Sequence, residues 1–482
     1  MTKSPAPVVA MAMMLAALLG APLAAQQQPQ PLPPPGPAPR AFEPLDRGVT
    51  AFVDVSVVSM ESDGPAAEHQ TVLVRDGRIA EVGPAARVQV PPGAARVDGR
   101  GKWMMPGLID MHAHMQPGRG DPGDPTWRHF ALLLANGITT ARGLGAPAGW
   151  VGVRERARAG EVVAPAIHVA SPSINGNSAP TPEAARRLVE GAKAGGYDLL
   201  KTHGGLTRAT YDTTVAAAKR AGLPLSGHVT PGYGYVHALE SGQQIEHLDG
   251  FLAAALKDGV QLPPDAGGQF VLDEALLAQV DPAKVRALAE ATRRAGVCSG
   301  PTLALFRIVA SPDPWAHPDS LAARPEMRYA PKPALAAWRQ QKAGQLEQFP
   351  AGGARHFIAL RDTIVRALHA AGAPIIAGSD SPQFFLVAGF SLHRELEALA
   401  GAGLPTAAVL AAATRTAATC LGQLRETGTV AAGKRADLLL LDANPLADVA
   451  STARPAGVMV RGKWLPRAEL DRMLAGVEES LK

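Results

Sequence analysis

Between residues 104 and 424 the chain repeats one pattern, a short apolar run followed by a turn and an alanine-rich stretch. The runs are GLIDMHAH, GITTARGLG, AIHVASPS, DLLKTHGG, PLSGHVTP, QIEHLDG, VCSGPTLA and PIIAGSDSP. Stretches such as PEAARRLVEGAKAGG and TYDTTVAAAKRAGL separate most of them and carry apolar residues at helical spacing. Parallel strands need crossover connections, and helices supply them. Eight such units predict an α/β fold with a parallel (β/α)8 barrel, which needs about 250 residues. A doubly wound sheet is the alternative, but no G-x-G-x-x-G follows an early strand.

The flanks read differently. VTAFVDVSVVSM, QTVLVRDGRIAEVG and RVDGRGKWMMPG alternate apolar and polar residues around Asp-Gly and Gly turns. GTVAAGKRADLLLLDANP and GVMVRGKWL have the same character after residue 428. The two segments, 46–103 and 425–482, are expected to form one small β domain around the barrel, with a helix at the C-terminus. Two insertions, 251–281 and 311–353, adjoin the seventh unit. They are candidate lids or ordinary surface packing; the second carries Trp315, Tyr329 and Trp338.

Residues 1–25 have the layout of a secretory signal. Lys3 gives the charge, Val8 to Leu19 the apolar run, and Ala21 to Ala25 the small residues. The apolar run is 12 residues long, short for a membrane span. Cleavage is favoured over a single anchor, so the mature chain is expected to be periplasmic or secreted, with no stable membrane span. Residues 26–45 open with QQQPQPLPPPGPAPR, which predicts an extended linker. Cys298 and Cys420 are the two cysteines. They could pair, but two such distant thiols are more often buried as apolar residues, and that is the expectation here. The net charge of +4 and 5% aromatic content point away from nucleic acid. A small-molecule substrate is expected as partner, and the sequence is compatible with a homo-oligomer.

Side chains at the C-terminal strand ends of a β/α barrel converge on one site. Here the first strand ends in His112 and His114, which share a face because strand residues i and i+2 point the same way. The fourth ends in Lys201, the fifth in His228, the sixth in His247 and the eighth in Asp380. One strand-end histidine is usually structural. Four, with a lysine and an aspartate in the same register, point to a metal centre. Imidazole and carboxylate suit Zn²⁺ or a similar divalent ion. An ammonium would repel a cation, but a neutral Lys201 can take up CO₂ as an anionic carbamate. An ion pair or a Schiff-base amine are the other readings of that lysine.

This constellation resembles the amidohydrolase superfamily, most closely its imidazolonepropionase-like and Xaa-Pro dipeptidase (prolidase-like) branch. PGLIDMHAH, GITTAR, IEHLDG, GSDSP and GTVAAGKRADLLLLD carry the resemblance, which covers almost all of the mature chain. It implies a distorted (β/α)8 TIM barrel with a small β-sandwich built from both termini. It also implies two divalent metal ions: His112, His114 and Asp380 would hold one, and His228 and His247 the other. Lys201, as a CO₂-derived carbamate, would bridge them together with a hydroxide. Asp380 would serve as general base and then general acid. Two positions depart from the pattern. Thr230 stands where relatives often have a second histidine after strand five, and Gly143 where they tend to be acidic.

His203, Tyr233, Asn175 and Arg142 are candidate substrate contacts on or near the loops past the strands; Arg142 could face a carboxylate, or be structural. The expected activity is hydrolysis of an amide, of a dipeptide or an N-acyl amino acid. The alternatives are the same fold acting on cyclic amides, lactones, esters or phosphotriesters, and a binding protein without catalysis.

Overall fold

The computed structural model describes residues 42–482 apart from Pro122, Ala148 and 263–269. The expected signal segment and most of the expected Pro-rich linker therefore lie outside the described residues. Phe42 to Leu45, placed in the linker above, are held against the body: Glu43 N–H donates to Arg158 O and Leu45 N–H to Arg461 O.

Seven of the eight expected barrel units contain a strand, and these follow five strands from the N-terminal flank. The flank supplies β1 (Val49–Val57), β2 (Ala67–Arg75), β3 (Arg78–Pro84), β4 (Ala95–Asp98) and β5 (Trp103–Pro106). The barrel strands are β6 (Leu108–Ala113), β7 (Ile138–Gly143), β8 (Ala166–Val169), β9 (Leu200–Thr202), β10 (Leu225–Gly227), β11 (Gln244–Glu246) and β12 (Ser299–Gly300). The C-terminal flank gives β13 (Leu438–Leu441), β14 (Gly457–Val460) and β15 (Lys463–Pro466).

The two flanks share one eight-stranded sheet, ordered β15-β14-β13-β5-β1-β2-β3, with β4 beside β1. Antiparallel pairing sets Leu440 opposite Met104. Alternation along these strands then puts Phe52, Val72, Met104, Leu438, Leu440 and Met459 into one core. Phe52 meets the ring of Trp464 edge-on at 4.9 Å, joining the first strand to the last.

The barrel strands form two parallel groups, β6-β7-β8 and β9-β10-β11-β12. The bridges Ala170↔Leu199 and Ile174↔Thr202 close the first seam. The second is closed by the eighth segment, through Ser299↔Ile375 and Ala113↔Ser381. That segment was expected to be a strand and is an extended run without a ladder. Pro374 and Pro382 remove donors, and Gly378 crosses so close to His112 that a Cβ would lie 2.6 Å from the His112 Cβ. On the side of β6 it is fastened by three backbone bonds, Met111 N–H to Ala377 O, Asp380 N–H to His112 O, and His114 N–H to Ser381 O, and on the side of β12 by Ser299 N–H to Pro374 O and Ile376 N–H to Ser299 O. This is the local distortion of the barrel, and it lies beside the strand that carries the paired histidines.

The crossover helices have explicit ends. Asp124, Thr181, Thr207 and Asp281 cap N-termini through their side chains, and Gly222, Gly296 and Gly372 end helices in the left-handed conformation. In the second insertion Trp338 packs against Phe385 and Tyr329 stacks on Phe390, so both rings face inward, while Trp315 is 44% exposed. No helix among the described residues is long and apolar enough to cross a membrane.

The expectation for the cysteines is corrected: Cys298 and Cys420 form a disulfide, with Cα atoms 6.3 Å apart. Cys298 immediately precedes β12, and Cys420 ends the helix Arg415–Cys420. Both sit in a cluster with Ile109, Met111 and Ile376, so the fold brings two distant residues to one place under the barrel.

Arg461 rivets the small domain to the barrel. It is fully buried and donates to the carbonyls of Ala157, Val162 and Ala164. Replacing it with Met removes its donors from Val162 O and the buried Ala164 O, and leaves Ala157 O only the N–H groups of its own helix end. We expect Arg461→Met to lower the unfolding free energy by at least about 2 kcal/mol in urea titrations; a loss within error of zero would show that the contact does not hold the domains.

Candidate metal centre

The strand ends bring all six expected ligands together. His112, His114 and Asp380 offer donor atoms that lie within 4.8 Å of one another. His114 Nε2 is 2.7 Å from Asp380 Oδ1, and His112 Nε2 is 3.4 Å from the same oxygen. Lys201 Nζ reaches His112 Nε2 at 3.5 Å. The His247 ring lies 4.8 Å from that of His112 and 4.7 Å from that of His228, and its Nδ1 is 3.7 Å from Asp380 Oδ2. His114, with 27% of its side chain exposed, is the most open of the set, while His112, Lys201, His247 and Asp380 are buried.

The backbone at these positions is strained. His247, Leu248, Thr302 and Asp380 have φ of 62°, 56°, 48° and 53°. L-residues adopt this region rarely, and such outliers persist where the surroundings over-determine them. Here they turn the chain sharply at three neighbouring strand ends and aim His247 and Asp380 inward.

Each buried imidazole has a partner that sets its direction. His112 Nδ1 faces Glu246 Oε2 at 2.9 Å, His228 Nδ1 faces Asp249 Oδ2 at 2.7 Å, and His247 Nδ1 faces Thr302 Oγ1 at 2.8 Å. A ring whose Nδ1 is engaged in this way presents Nε2 as a ligand. Asp110 steadies the two chain segments themselves: its carboxylate accepts from the N–H groups of His112 and Ser379 and from the Ser379 hydroxyl.

The electrostatics suit a cation. Burial favours the neutral imidazole at His112, His228 and His247, and pushes the Lys201 ammonium down from its ordinary value despite Glu246 and Asp380 nearby. Burial alone would raise Asp380, but His112, the hydrogen bond from His114 and Lys201 hold it as a carboxylate, at about 2. The result is a set of neutral nitrogen donors around one carboxylate. Lys201 meets an imidazole nitrogen rather than a carboxylate, a poor place for an ammonium and a good one for an anionic carbamate. The donor set therefore fits divalent ions of the zinc type.

Three of the four expected substrate contacts have polar atoms engaged within the protein itself. Arg142 is 1% exposed and faces inward: Nε donates to Met111 O, Nη1 to Gln244 Oε1 and Nη2 to Glu246 Oε1. A buried guanidinium takes the nearest carboxylate, and that is Glu246. Tyr233 is buried, stacked on Tyr211 at 3.6 Å, and donates its hydroxyl to His228 O. Asn175 folds back to accept from Asn177 and Ser178 N–H, shaping its own turn. His203 remains beside the centre, its ring 4.2 Å from that of His228, with burial first and His228 second pushing its pKa down to about 2.

Glu246, Asp249 and Asp110 were missed in the sequence. Glu246 and Asp249 stand in the quoted run IEHLDG, next to and two residues after His247, and Asp110 stands two before His112. A carboxylate inside an otherwise apolar strand was the available signal.

A family model described as "Amidohydrolase family" matches residues 103–465, the whole barrel and most of the second flank. This chain belongs to the amidohydrolase family. Among relatives of this amidohydrolase, an imidazolonepropionase from Rubrobacter xylanophilus is 27% identical over 406 residues, covering 77% of this chain and 84% of that protein. The structure of a bottromycin amidohydrolase superposes with a TM-score of 0.70 at 26% identity, covering 91% of this chain and 92% of the other. A protein from Bifidobacterium longum described as a prolidase gives 0.66 at 25% identity, covering 89% and 99%. Other curated relatives align over short stretches, with 11% of their own length spanned by this chain.

Beside the centre, Glu395 is fully buried. One oxygen accepts Ala304 N–H at 2.7 Å, at the start of the helix Leu303–Ala310 that Thr302 precedes, and the other has no partner among the described residues. Burial raises its pKa from 4.5 to about 7. Between those values the folded chain keeps a proton that the unfolded chain has lost, so stability falls as pH rises through that window. Glu395→Gln should flatten this part of the pH–stability curve of the metal-free protein, by about 3 kcal/mol across the window. Urea unfolding at a series of pH values measures it, and an unchanged slope would contradict the assignment.

Proposed function

We propose that this amidohydrolase is an exported, metal-dependent hydrolase that cleaves an amide C–N bond, with a dipeptide or an N-acyl amino acid as the substrate class. The observation that carries the reading is the convergence of His112, His114 and Asp380 donor atoms within 4.8 Å, with Lys201 reaching His112. The family match supports hydrolysis at C–N bonds, and the relative described as a prolidase supports a dipeptide. The disulfide supports an oxidising compartment, periplasmic or extracellular.

In this reading His112, His114 and Asp380 hold one divalent ion, and His228 and His247 hold a second. Lys201, carboxylated by CO₂, stands between the two sets. Bound zinc-type ions supply two things there: polarisation of the scissile carbonyl and water of lowered pKa. Glu246, Asp249 and Thr302 hold the three imidazoles through Nδ1, and at His112 the free Nε2 faces Asp380 and Lys201. Asp380, kept ionised, accepts a proton from the attacking water and returns it to the leaving amine. His203, next to His228 and only partly covered, is placed to touch the substrate. With Arg142 turned inward, a substrate carboxylate has to be met by other groups at the mouth.

Elemental analysis of the mature protein should find about two divalent ions per chain, and Lys201→Ala should lose metal and activity together. Asp380→Asn should lower kcat by about 10²–10⁴-fold. The substrate class is read from parallel rates on dipeptides, N-acyl amino acids, lactones and aryl esters. Turnover confined to the lactones or esters would refute the amide reading while leaving the metal centre intact.

A further inference from the structure

Under the barrel mouth a chain of polar side chains runs down to the barrel floor. Glu246 Oε2 faces His112 Nδ1 at 2.9 Å, and Glu246 Oε1 accepts from Arg142 Nη2 at 2.5 Å. Arg142 Nη1 donates to Gln244 Oε1 at 2.5 Å, and Gln244 Nε2 donates to the carbonyl of Cys420 at 2.8 Å. Cys420 is half of the disulfide; the other half, Cys298, gives its own carbonyl to Ile245 N–H in the same strand, β11. Gln244 and Glu246 share a face of β11 because they are two residues apart. The strand thus carries one residue that reads the floor and one that orients the ligand. Between them Arg142, fully buried, also holds Met111 O, the carbonyl next to His112.

We propose that Gln244, Arg142 and Glu246 are positioning residues for His112, and that the Cys298–Cys420 disulfide acts on the metal centre through them. The proposal rests on the metal reading of the site. The physical argument has three steps. Glu246 is a carboxylate with no hydrogen to give, so its bond to His112 requires the proton on Nδ1, which leaves Nε2 free as a ligand. A buried carboxylate keeps one direction when both oxygens are engaged, and Arg142 together with Ser226 Oγ engages the second oxygen. A guanidinium keeps its own direction when its far end is anchored, and the anchor is Gln244, tied to a backbone carbonyl at the disulfide. Cutting the disulfide frees the helix end that bears Cys420, and with it the last member of the chain.

The test is Zn²⁺ affinity of the full mature chain, read by competition with a chelator. Gln244→Met, which touches no ligand, should loosen Zn²⁺ by about 10–100-fold, read under conditions where the metal-free variant is still fully folded. The double variant Cys298→Ala, Cys420→Ala should loosen Zn²⁺ in the same direction. Combining it with Gln244→Met should add nothing beyond the larger single effect, because both act on one chain of contacts. Glu246→Gln, whose amide oxygen can still accept a hydrogen bond from Nδ1–H, should retain Zn²⁺ better than Glu246→Leu, and this ranking decides the matter if Gln244→Met does not fold. Unchanged affinity in Gln244→Met, losses that multiply, or Glu246→Leu binding as well as Glu246→Gln would each overturn the relay. A parent protein that binds no Zn²⁺ would overturn the metal reading, and the relay with it. A parent that binds alongside variants that bind equally would overturn the relay alone.

Discussion

The barrel mouth depends on keeping basic side chains uncharged in an apolar enclosure. Three imidazoles and one amine lie buried within a few ångströms of each other, with a single ligand carboxylate among them. Charged, they would repel one another at low dielectric; neutral, they are donors waiting for a cation. The carboxylates Glu246 and Asp249 are placed behind the rings rather than among the ligand atoms. They therefore direct the imidazole protons outward from the centre without competing for the ion. The same exclusion of water explains why the protein tolerates left-handed backbone at His247, Thr302 and Asp380, since the aim of those side chains is worth about 1–3 kcal/mol of local strain each.

The alternation of apolar runs and amphipathic stretches was enough to read the barrel, and the register of polar residues at run ends was enough to read His112, His114, Lys201, His228, His247 and Asp380 as one group. Both signals are periodic, and a repeating fold writes its period into the chain. What was not legible has no period. Arg142 was given a substrate role because a guanidinium at a strand end looks like an anion clamp; its true partner, Glu246, sits 104 residues later. Tyr233 and Asn175 fell on the right loops, but loop position does not say whether a polar atom is spent on its own backbone. The cysteines were read as unpaired because a separation of 122 residues carries no information about distance in space. The eighth strand was read from its apolar run, while its prolines and Gly378, visible in PIIAGSDSP, were the signs that a ladder could not form.

The small β domain has its first strands near the start of the described chain and its last strands near the end. β1 and β5 cannot complete their sheet until β13, β14 and β15 have been made, more than 330 residues after β5 begins. Throughout synthesis of the barrel, the apolar face of Phe52, Val72 and Met104 therefore lacks Leu438, Leu440 and Met459 to cover it. Such a chain commits late to its final form. Its architecture is closed from the outside in, by the strands that arrive last.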